Sequence, residues 1–189
     1  MAKFYSELSD DQRAFIAAQH VFFVASGTAE SRINLSPKGG DTLRVLDAHT
    51  VAYLDITGSG NETAAHMKHD GRLTLMLCSF GDKPLILRLY GRGRVVLPGA
   101  PDWDRLAAHF PTFAGTRQII VLAVESAQTS CGFGVPHAEG MQPRTRMIEW
   151  AEGKGEEALA LYRRRNNACS IDGLTNDTVV AEGAAAAET

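Results

Sequence analysis

A strand that runs into a glycine-rich turn and then into a helix has the clearest capacity for chemistry. It extends from Val51 to Thr63 and places glycines at positions 58 and 60. Glycines let backbone N–H groups approach an anion closely, and the helix N-terminus adds unpaired donors and a favourable dipole. The same turn carries four side-chain donors: Thr57, Ser59, Asn61 and Thr63. The pattern predicts a phosphate site, although a polar turn that merely caps the helix explains the same residue types.

A second polar segment, residues 31–39, has the alternation of a strand. Period-2 spacing places Asn34 and Ser36 on one face, with Lys38 just beyond them. Such a face can hydrogen-bond a planar polar ring, and Lys38 offers positive charge to a phosphate or to an electron-rich ring edge. A strand with a solvated face and an exposed lysine is the alternative interpretation.

A third segment, from Leu85 to Arg94, alternates leucines with basic and aromatic residues. One face is therefore apolar and the other cationic. A cationic strand face can bind an anionic cofactor, and a solvent-facing strand that carries arginines is the alternative.

Other recognisable chemistry is absent from the sequence. His66 and His69 have a spacing of three, but no second cluster of metal ligands accompanies them. The chain contains no GxSxG, HExxH or GxxxxGK[ST] pattern. We therefore predict no metal site and identify no catalytic acid, base or nucleophile.

Short strands with few helices must position these segments. The β-rich runs lie at residues 20–25, 32–35, 43–46, 51–56, 73–79, 85–97 and 118–125. Most of the gaps are short and contain Gly, Asp or Asn, which suits hairpins. A capping-box spacing from Ser9 to Gln12 predicts an N-terminal helix, and short helical pieces follow at 63–70 and 102–110. This organisation predicts a mainly β (α+β) fold with a barrel.

A Rossmann fold is the competing interpretation of the glycine-rich turn. Residues 58–63 read GxGxxT, and Asp82 follows at the separation of a ribose contact. The helix, however, is only about two turns long, and the next two runs resemble an antiparallel hairpin rather than further βαβ units. We therefore prefer the barrel.

Composition limits the class of protein. The chain has 189 residues, 44% of them hydrophobic, which is typical of one globular core. A net charge of −3 without a long basic run disfavours nucleic acid and membrane surfaces as partners. The three cysteines lack CxxC spacing, and no apolar run approaches the ~18 residues of a membrane span, so we predict a cytoplasmic protein.

We expect one domain over 1–174, with helical pieces at 144–152 and 156–165. A disordered tail is expected over 175–189, and it is alanine-rich from 181.

The motifs SPKG, YLDITGSGNET, RLYGRGRV, SCGFGVP and SIDGL together resemble the FMN-binding split barrel of pyridoxamine 5'-phosphate oxidase-like proteins. The resemblance covers residues 4–174 and implies a six-stranded antiparallel split β-barrel with flanking short helices. It also implies FMN at a homodimer interface, with the phosphate near Lys38, Ser59, Asn61 and Thr63. Closer to the ring and ribityl chain it implies Asn34, Ser36, Asp55 and Thr57, with Arg88 as a further candidate and Trp150 reaching the flavin of the partner subunit.

Two departures from that family's oxidases affect the expected activity. The helix turn of the oxidase carries an Arg-Lys pair where this chain has Glu62 and Thr63, and the substrate-binding Arg-Leu-His segment after Trp150 is missing. We therefore expect an FMN-dependent oxidoreductase acting on an unidentified small molecule rather than on pyridoxamine 5'-phosphate. FMN is expected rather than FAD because one glycine-rich turn accommodates a single phosphate. The alternatives are a non-catalytic flavin-binding or sensing module, or a barrel that binds a deazaflavin or heme.

Overall fold

The computed structural model describes residues 2–178. Eight strands are found in this part of the chain: β1 (Lys3–Tyr5), β2 (Val21–Ser26), β3 (Asn34–Gly39), β4 (Leu43–Val45), β5 (Thr50–Ile56), β6 (Arg72–Cys78), β7 (Ile86–Val96) and β8 (Thr116–Ser130). Five helices accompany them: α1 (Asp10–Ala17), α2 (Glu62–His69), α3 (Trp103–Ala107), α4 (Arg146–Lys154) and α5 (Glu156–Asn166).

The strands form one antiparallel sheet in the order β3-β2-β6-β7-β8-β5-β4, and β1 also pairs with β8. The sheet curls into a half-barrel, which confirms the predicted split-barrel class. The predicted number of six strands is wrong for the described residues. The additional strands have a simple origin, because β1 and β4 have only three residues each and extend the pairing of β8 and β5.

The curl of the two longest strands depends on a β-bulge. The register between β7 and β8 shifts between Tyr90 and Gly91. A Cβ atom at position 91 would lie 1.9 Å from the carbonyl oxygen of Ala123, so only glycine allows the two backbones to approach this closely. The bulge increases the local twist and bends the strand.

Strand β5 is buried on both of its faces. Val51 and Tyr53 belong to the core cluster inside the curled sheet, whereas Ala52 and Leu54 pack in a second cluster together with Leu106 of α3. A strand covered on both sides has a nearly continuous apolar sequence, as in residues 51–54. The charged residue that follows, Asp55, therefore enters an environment from which water is largely excluded.

The predicted elements differ from the observed ones mainly at their ends. The capping box of α1 is present, since Ser9 Oγ accepts from the backbone N–H of Gln12 and Gln12 Oε1 accepts from that of Ser9. The run predicted at 32–35 is instead a strand over Asn34–Gly39 that passes through Pro37. Proline is tolerated there because β3 is an edge strand and its free edge needs no donor.

The C-terminal part of the described chain packs against the sheet and α2. Cys169 forms an isolated β-bridge with Thr175, and the side chains of Asn176 and Thr178 are buried. Thr175, Asn176 and Thr178 fall within the range 175–189 for which we expected disorder, and residues 179–189 of that range lie outside the described part. Over residues 2–178, no helix combines the length and the apolar character that crossing a membrane requires.

Candidate functional site

A buried carboxylate at the end of β5 is the centre of the candidate site. Asp55 Oδ1 accepts a hydrogen bond from Lys38 Nζ at 2.9 Å, and Oδ2 accepts from Arg117 Nε at 2.8 Å and Gln118 Nε2 at 2.7 Å. Burial by itself raises the pKa of Asp55, but the charges of Arg117 and Lys38 outweigh it and hold the pKa well below its ordinary value. Asp55 is therefore an ionised carboxylate paired with two cations. We call Asp55, Lys38 and Arg117 the Asp55 cluster.

A bulge in β8 explains how two consecutive residues reach one carboxylate. Asp55 pairs with Gln118, whereas the next residue of β5, Ile56, pairs with Thr116. Arg117 is the extra residue of this bulge. Successive side chains of a regular strand point to opposite faces, and a bulge locally changes that direction.

The side chain of Asn61, at the glycine-rich turn, continues the hydrogen bonding of Gln118. Its Oδ1 accepts from Gln118 Nε2 at 2.7 Å, and its Nδ2 donates to Thr178 Oγ1 at 3.0 Å. The Thr178 hydroxyl in turn donates to Gln118 Oε1 at 2.7 Å. Asn61 is 2% exposed, and its amide nitrogen and its oxygen each make a hydrogen bond within the protein.

Thr57 connects the same turn to α5. Its hydroxyl donates to the carbonyl oxygen of Gly115 at 2.8 Å and accepts from Arg163 Nε at 2.9 Å. The side chain is fully buried. Thr57 therefore holds the chain immediately before the turn against the C-terminal helices.

The polar face predicted for residues 34–38 is present on β3. Asn34, Ser36 and Lys38 pair with three consecutive inward-facing positions of β2 that are buried: Ser26, Val24 and Phe22. Ser36 Oγ donates to Asn34 Oδ1 at 3.1 Å, and Asn34 Nδ2 donates to Thr63 Oγ1 at 3.2 Å. The three residues of β3 are half-buried, which leaves part of each side chain accessible.

Behind this face lies a buried polar group that the sequence did not indicate as a unit. Ser26 Oγ lies 3.4 Å from Thr63 Oγ1 and 3.0 Å from Nδ1 of His66. His66 is fully buried, and its Nε2 atom has no hydrogen-bond partner within the described part of the chain. Ser26 therefore lies between the buried histidine and Thr63 and contacts both.

The remaining predicted residues are placed differently. Ser59 is exposed at the turn. Arg88 pairs with Met76 and Gln128, and it lies on the face of the sheet opposite to Lys38 because the register aligns it with Phe23 rather than Phe22. Its guanidinium donates to Ser130 Oγ at 3.1 Å. Within the described residues, Arg88 makes no hydrogen bond to the Asp55 cluster.

Trp150 lies in α4 and packs within the C-terminal helical hairpin. Its ring meets that of Tyr162 edge-on at a centroid distance of 5.1 Å, and Lys154 Nζ lies 5.2 Å from the Trp150 ring centroid. In this chain the tryptophan contacts the hairpin. Its predicted approach to a flavin concerns the partner subunit and stays a prediction.

Sequence reasoning missed several residues that complete the site: Arg117, Gln118, Arg163, Asn167 and Thr178. A signal existed for Arg117, which lies two positions before the apolar run that begins at Ile119, because a charge that enters a buried strand needs a partner. The residues from α5 and beyond carry no such signal, since only their tertiary position brings them to the turn.

Comparison with known proteins decides the family. The profile of the family described as pyridoxamine 5'-phosphate oxidase matches residues 8–131, which span α1 through the end of β8. A relative from Aspergillus flavus, the pyridoxamine 5'-phosphate oxidase family protein ustO, is 38% identical over 194 residues that cover 92% of this chain and 77% of the relative. This chain belongs to the pyridoxamine 5'-phosphate oxidase family. The resemblance inferred from the motifs is thereby confirmed.

Solved structures support the same fold. The HupZ protein of Group A Streptococcus superposes with a TM-score of 0.53 at 19% identity, covering 65% of this chain and 98% of that one. A putative pyridoxamine 5'-phosphate oxidase from Lactobacillus delbrueckii gives a TM-score of 0.52 at 18% identity, covering 65% and 94%. At these identities the similarity establishes the barrel and leaves the ligand open.

The side chains of this family member fit the two halves of FMN unequally. On β3, the partly accessible amide, hydroxyl and ammonium of Asn34, Ser36 and Lys38 suit the polar edge of a planar ring. At the turn, Asn61 and Thr63 are buried and hydrogen-bonded within the protein. Lys38 shares its charge with Asp55. The polar face of β3 therefore suits the ring, whereas Ser59 is the one exposed side chain among the predicted phosphate residues of the turn, and the phosphate contacts stay a prediction.

Proposed function

We propose that this protein binds a flavin, with FMN as the cellular form, and acts as an oxidoreductase on a small molecule. One observation carries the proposal: in a member of this family, a strand presents a half-buried polar face, and an ionised carboxylate holds the lysine of that face in place. A flavin edge alternates N–H and carbonyl groups, which matches a face that offers an amide, a hydroxyl and an ammonium.

The chain's own residues have distinct roles in this proposal. Lys38 donates a charge-assisted hydrogen bond to an electron-rich ring atom, while Asp55 limits the movement of its ammonium group. Asn34 and Ser36 supply neutral hydrogen bonds, and their mutual contact restricts the rotamers of both side chains. The flavin, when bound, supplies hydride or electron transfer, and the protein supplies its orientation and electrostatic environment.

We also propose that the outer face of the sheet forms a homodimer. Ile33, just before β3, and Leu35, on the outer side of β3, are 81% and 64% exposed, and exposed apolar side chains that lie together mark interaction surfaces. A row across that face joins Pro37, Phe23, Met76, Arg88, Gln128 and Phe4. Arg88 lies in this row and is therefore the candidate for contact with the partner subunit, and Trp150, in the C-terminal helical hairpin, stays the candidate for contact with the partner's flavin. Light scattering should then give about twice the chain mass of 20.4 kDa.

Flavin fluorescence on titration with FMN tests the binding proposal. Lys38→Ala should weaken FMN binding by about 1–3 kcal/mol, the range for a lost charge-assisted hydrogen bond. Lys83→Ala is the matched control, because Lys83 is exposed in the turn before β7. Equal affinities of wild type and Lys38→Ala, or no FMN binding by wild type, would contradict the proposed site.

Anaerobic reduction separates an oxidoreductase from a passive flavin carrier. The flavin-loaded protein is mixed with NADH or NADPH, and bleaching of the flavin absorbance is followed. In parallel, pyridoxamine 5'-phosphate is offered under oxygen, and we expect turnover well below about 1 s⁻¹, because the segment after Trp150 lacks the oxidase's basic substrate residues. Reduction by neither donor would favour the carrier.

A further inference from the structure

The last described segment of the chain, residues 167–178, covers the start of α2. We call it the C-terminal strap. Asn167 Nδ2 donates to the carbonyl oxygen of Gly58 at 3.1 Å, and the backbone N–H of Ile171 donates to the Glu62 carboxylate at 3.0 and 3.1 Å. Thr178 Oγ1 accepts from Asn61 Nδ2. The strap thus contacts the glycine-rich turn, the residue before α2 and the first residue of α2.

Acidic residues of the strap also neutralise cations on either side of this region. Asp172 pairs with the guanidinium of Arg32, and its carboxylate accepts from the Arg32 backbone N–H at 2.8 Å. Asp177 pairs with Lys68 Nζ at 2.7 Å. Arg32, before β3, and Lys68, in the last turn of α2, are therefore already paired with acidic groups of the same chain.

The consequence for α2 is a covered N-terminus. The N-terminal turn of a helix ordinarily attracts phosphate because its backbone N–H groups are unpaired and the dipole is favourable. Here Asn61, Thr63 and Ala64 are all buried. A phosphate dianion that entered would lose its hydration, and Glu62 would add negative charge beside it.

We propose that the C-terminal strap excludes phosphate from the N-terminal turn of α2. The flavin is then recognised through its ring and ribityl chain, while its phosphate stays in solvent, so that riboflavin and FMN are both ligands. This inference rests on the proposed flavin binding and specifies the ligand class of that site.

Parallel titrations of the full-length protein with riboflavin and FMN test the inference. We expect dissociation constants that differ by less than about fivefold, because a phosphate left in solvent makes no net hydrogen bond of about 1 kcal/mol. The ratio should change little between low salt and physiological salt, since no ion pair with phosphate is screened. FMN binding tighter than riboflavin binding by more than about fivefold would overturn the strap proposal and leave flavin binding intact. Binding of neither compound would overturn both proposals.

A strap variant provides an independent arm. Asp172→Asn removes the acidic partner of Arg32 without altering β3 or the Asp55 cluster. It should shift the ratio of affinities toward FMN by about threefold or more, as expected for one released cation near a phosphate. Asp82→Asn is the matched control, because Asp82 is exposed and pairs with His137 away from the strap. The Asp172→Asn protein should first be shown to unfold like wild type. If its ratio of FMN affinity to riboflavin affinity is then unchanged, the proposal that the strap excludes phosphate is overturned.

Discussion

Asp55 and Asp102 each face two cations, yet they occupy opposite environments. Asp55 is paired with Lys38 and Arg117, and its side chain is 4% exposed. Asp102 is paired with Arg94 at 2.5 Å and with Arg105 at 4.0 Å, and its side chain is 29% exposed. Both pKa values lie below the ordinary range. The Arg94 hydrogen bond is the main cause at Asp102, whereas at Asp55 the two cations act against the opposing effect of burial.

The difference between the two carboxylates lies in what happens when a partner is lost. Arg94 and Arg105 line an open cleft of about 420 Å³ beside α3, where water can solvate an arginine that has no counter-charge. Arg117 is almost completely buried, so no solvent replaces Asp55. Breaking an ion pair of this kind should therefore change the free energy of unfolding little at the surface and strongly inside the sheet.

The largest expected effect is that of removing the charge of Asp55. Asp55→Asn keeps the size of the side chain but leaves Arg117 as a buried charge with an amide neighbour. We expect the free energy of unfolding to fall by about 3–5 kcal/mol, the range for breaking a buried ion pair. Urea unfolding followed by tryptophan fluorescence measures this loss. A decrease below about 1 kcal/mol would mean that the ion pairs of Asp55 stabilise the protein no more than the exposed ion pairs of Asp102.

Acid should remove part of the same stabilisation from the wild-type protein. The folded-state pKa of Asp55 lies below its unfolded value, so its contribution is complete above about pH 4 and is lost as the pH falls toward the folded-state value. The difference in unfolding free energy between wild type and Asp55→Asn should therefore shrink by about 2–3 kcal/mol between about pH 6 and the acid limit of the folded protein. A pH-independent difference would show that Asp55 carries no shifted pKa.

Asn61 extends the buried cluster through neutral hydrogen bonds, and its loss should cost less than the loss of Asp55. Asn61→Ala removes partners of Gln118 and Thr178, and we expect a decrease of about 1–3 kcal/mol in unfolding free energy. Thermal unfolding by circular dichroism gives this value, with Asn166→Ala, at the exposed end of α5, as the control. If Asn61→Ala and Asn166→Ala were equally stable, the hydrogen bonds of Asn61 would contribute nothing to the stability of the buried cluster.

The smallest effect is expected at the exposed carboxylate. Asp102→Asn should reduce the free energy of unfolding by less than about 1 kcal/mol, and high salt should reduce the difference further. Urea unfolding at two salt concentrations provides the measurement. A loss comparable to that of Asp55→Asn would mean that exposure does not explain the contrast.

Local patterns were sufficient for the elements and for one face of the site. The alternation correctly placed Asn34 and Ser36 on one face, because every second side chain of a strand shares a face, and the observed strand extends that face to Lys38. The capping box of α1 follows from residues three positions apart in the same way. The motifs around the glycine-rich turn identified the family, which the profile match confirmed.

The partners of those residues were decided only by the tertiary structure. Whether Asn61 is open to a phosphate depends on Thr178, which lies 117 positions away, and the contact forms only after the strap has packed on α2. Arg117 reaches Asp55 because β8 bulges at that point, and Arg88 lies on the outer face because of the register between β6 and β7. Periodicity in a sequence reports the local backbone direction, whereas pairing between distant segments depends on register and packing, which no local pattern encodes.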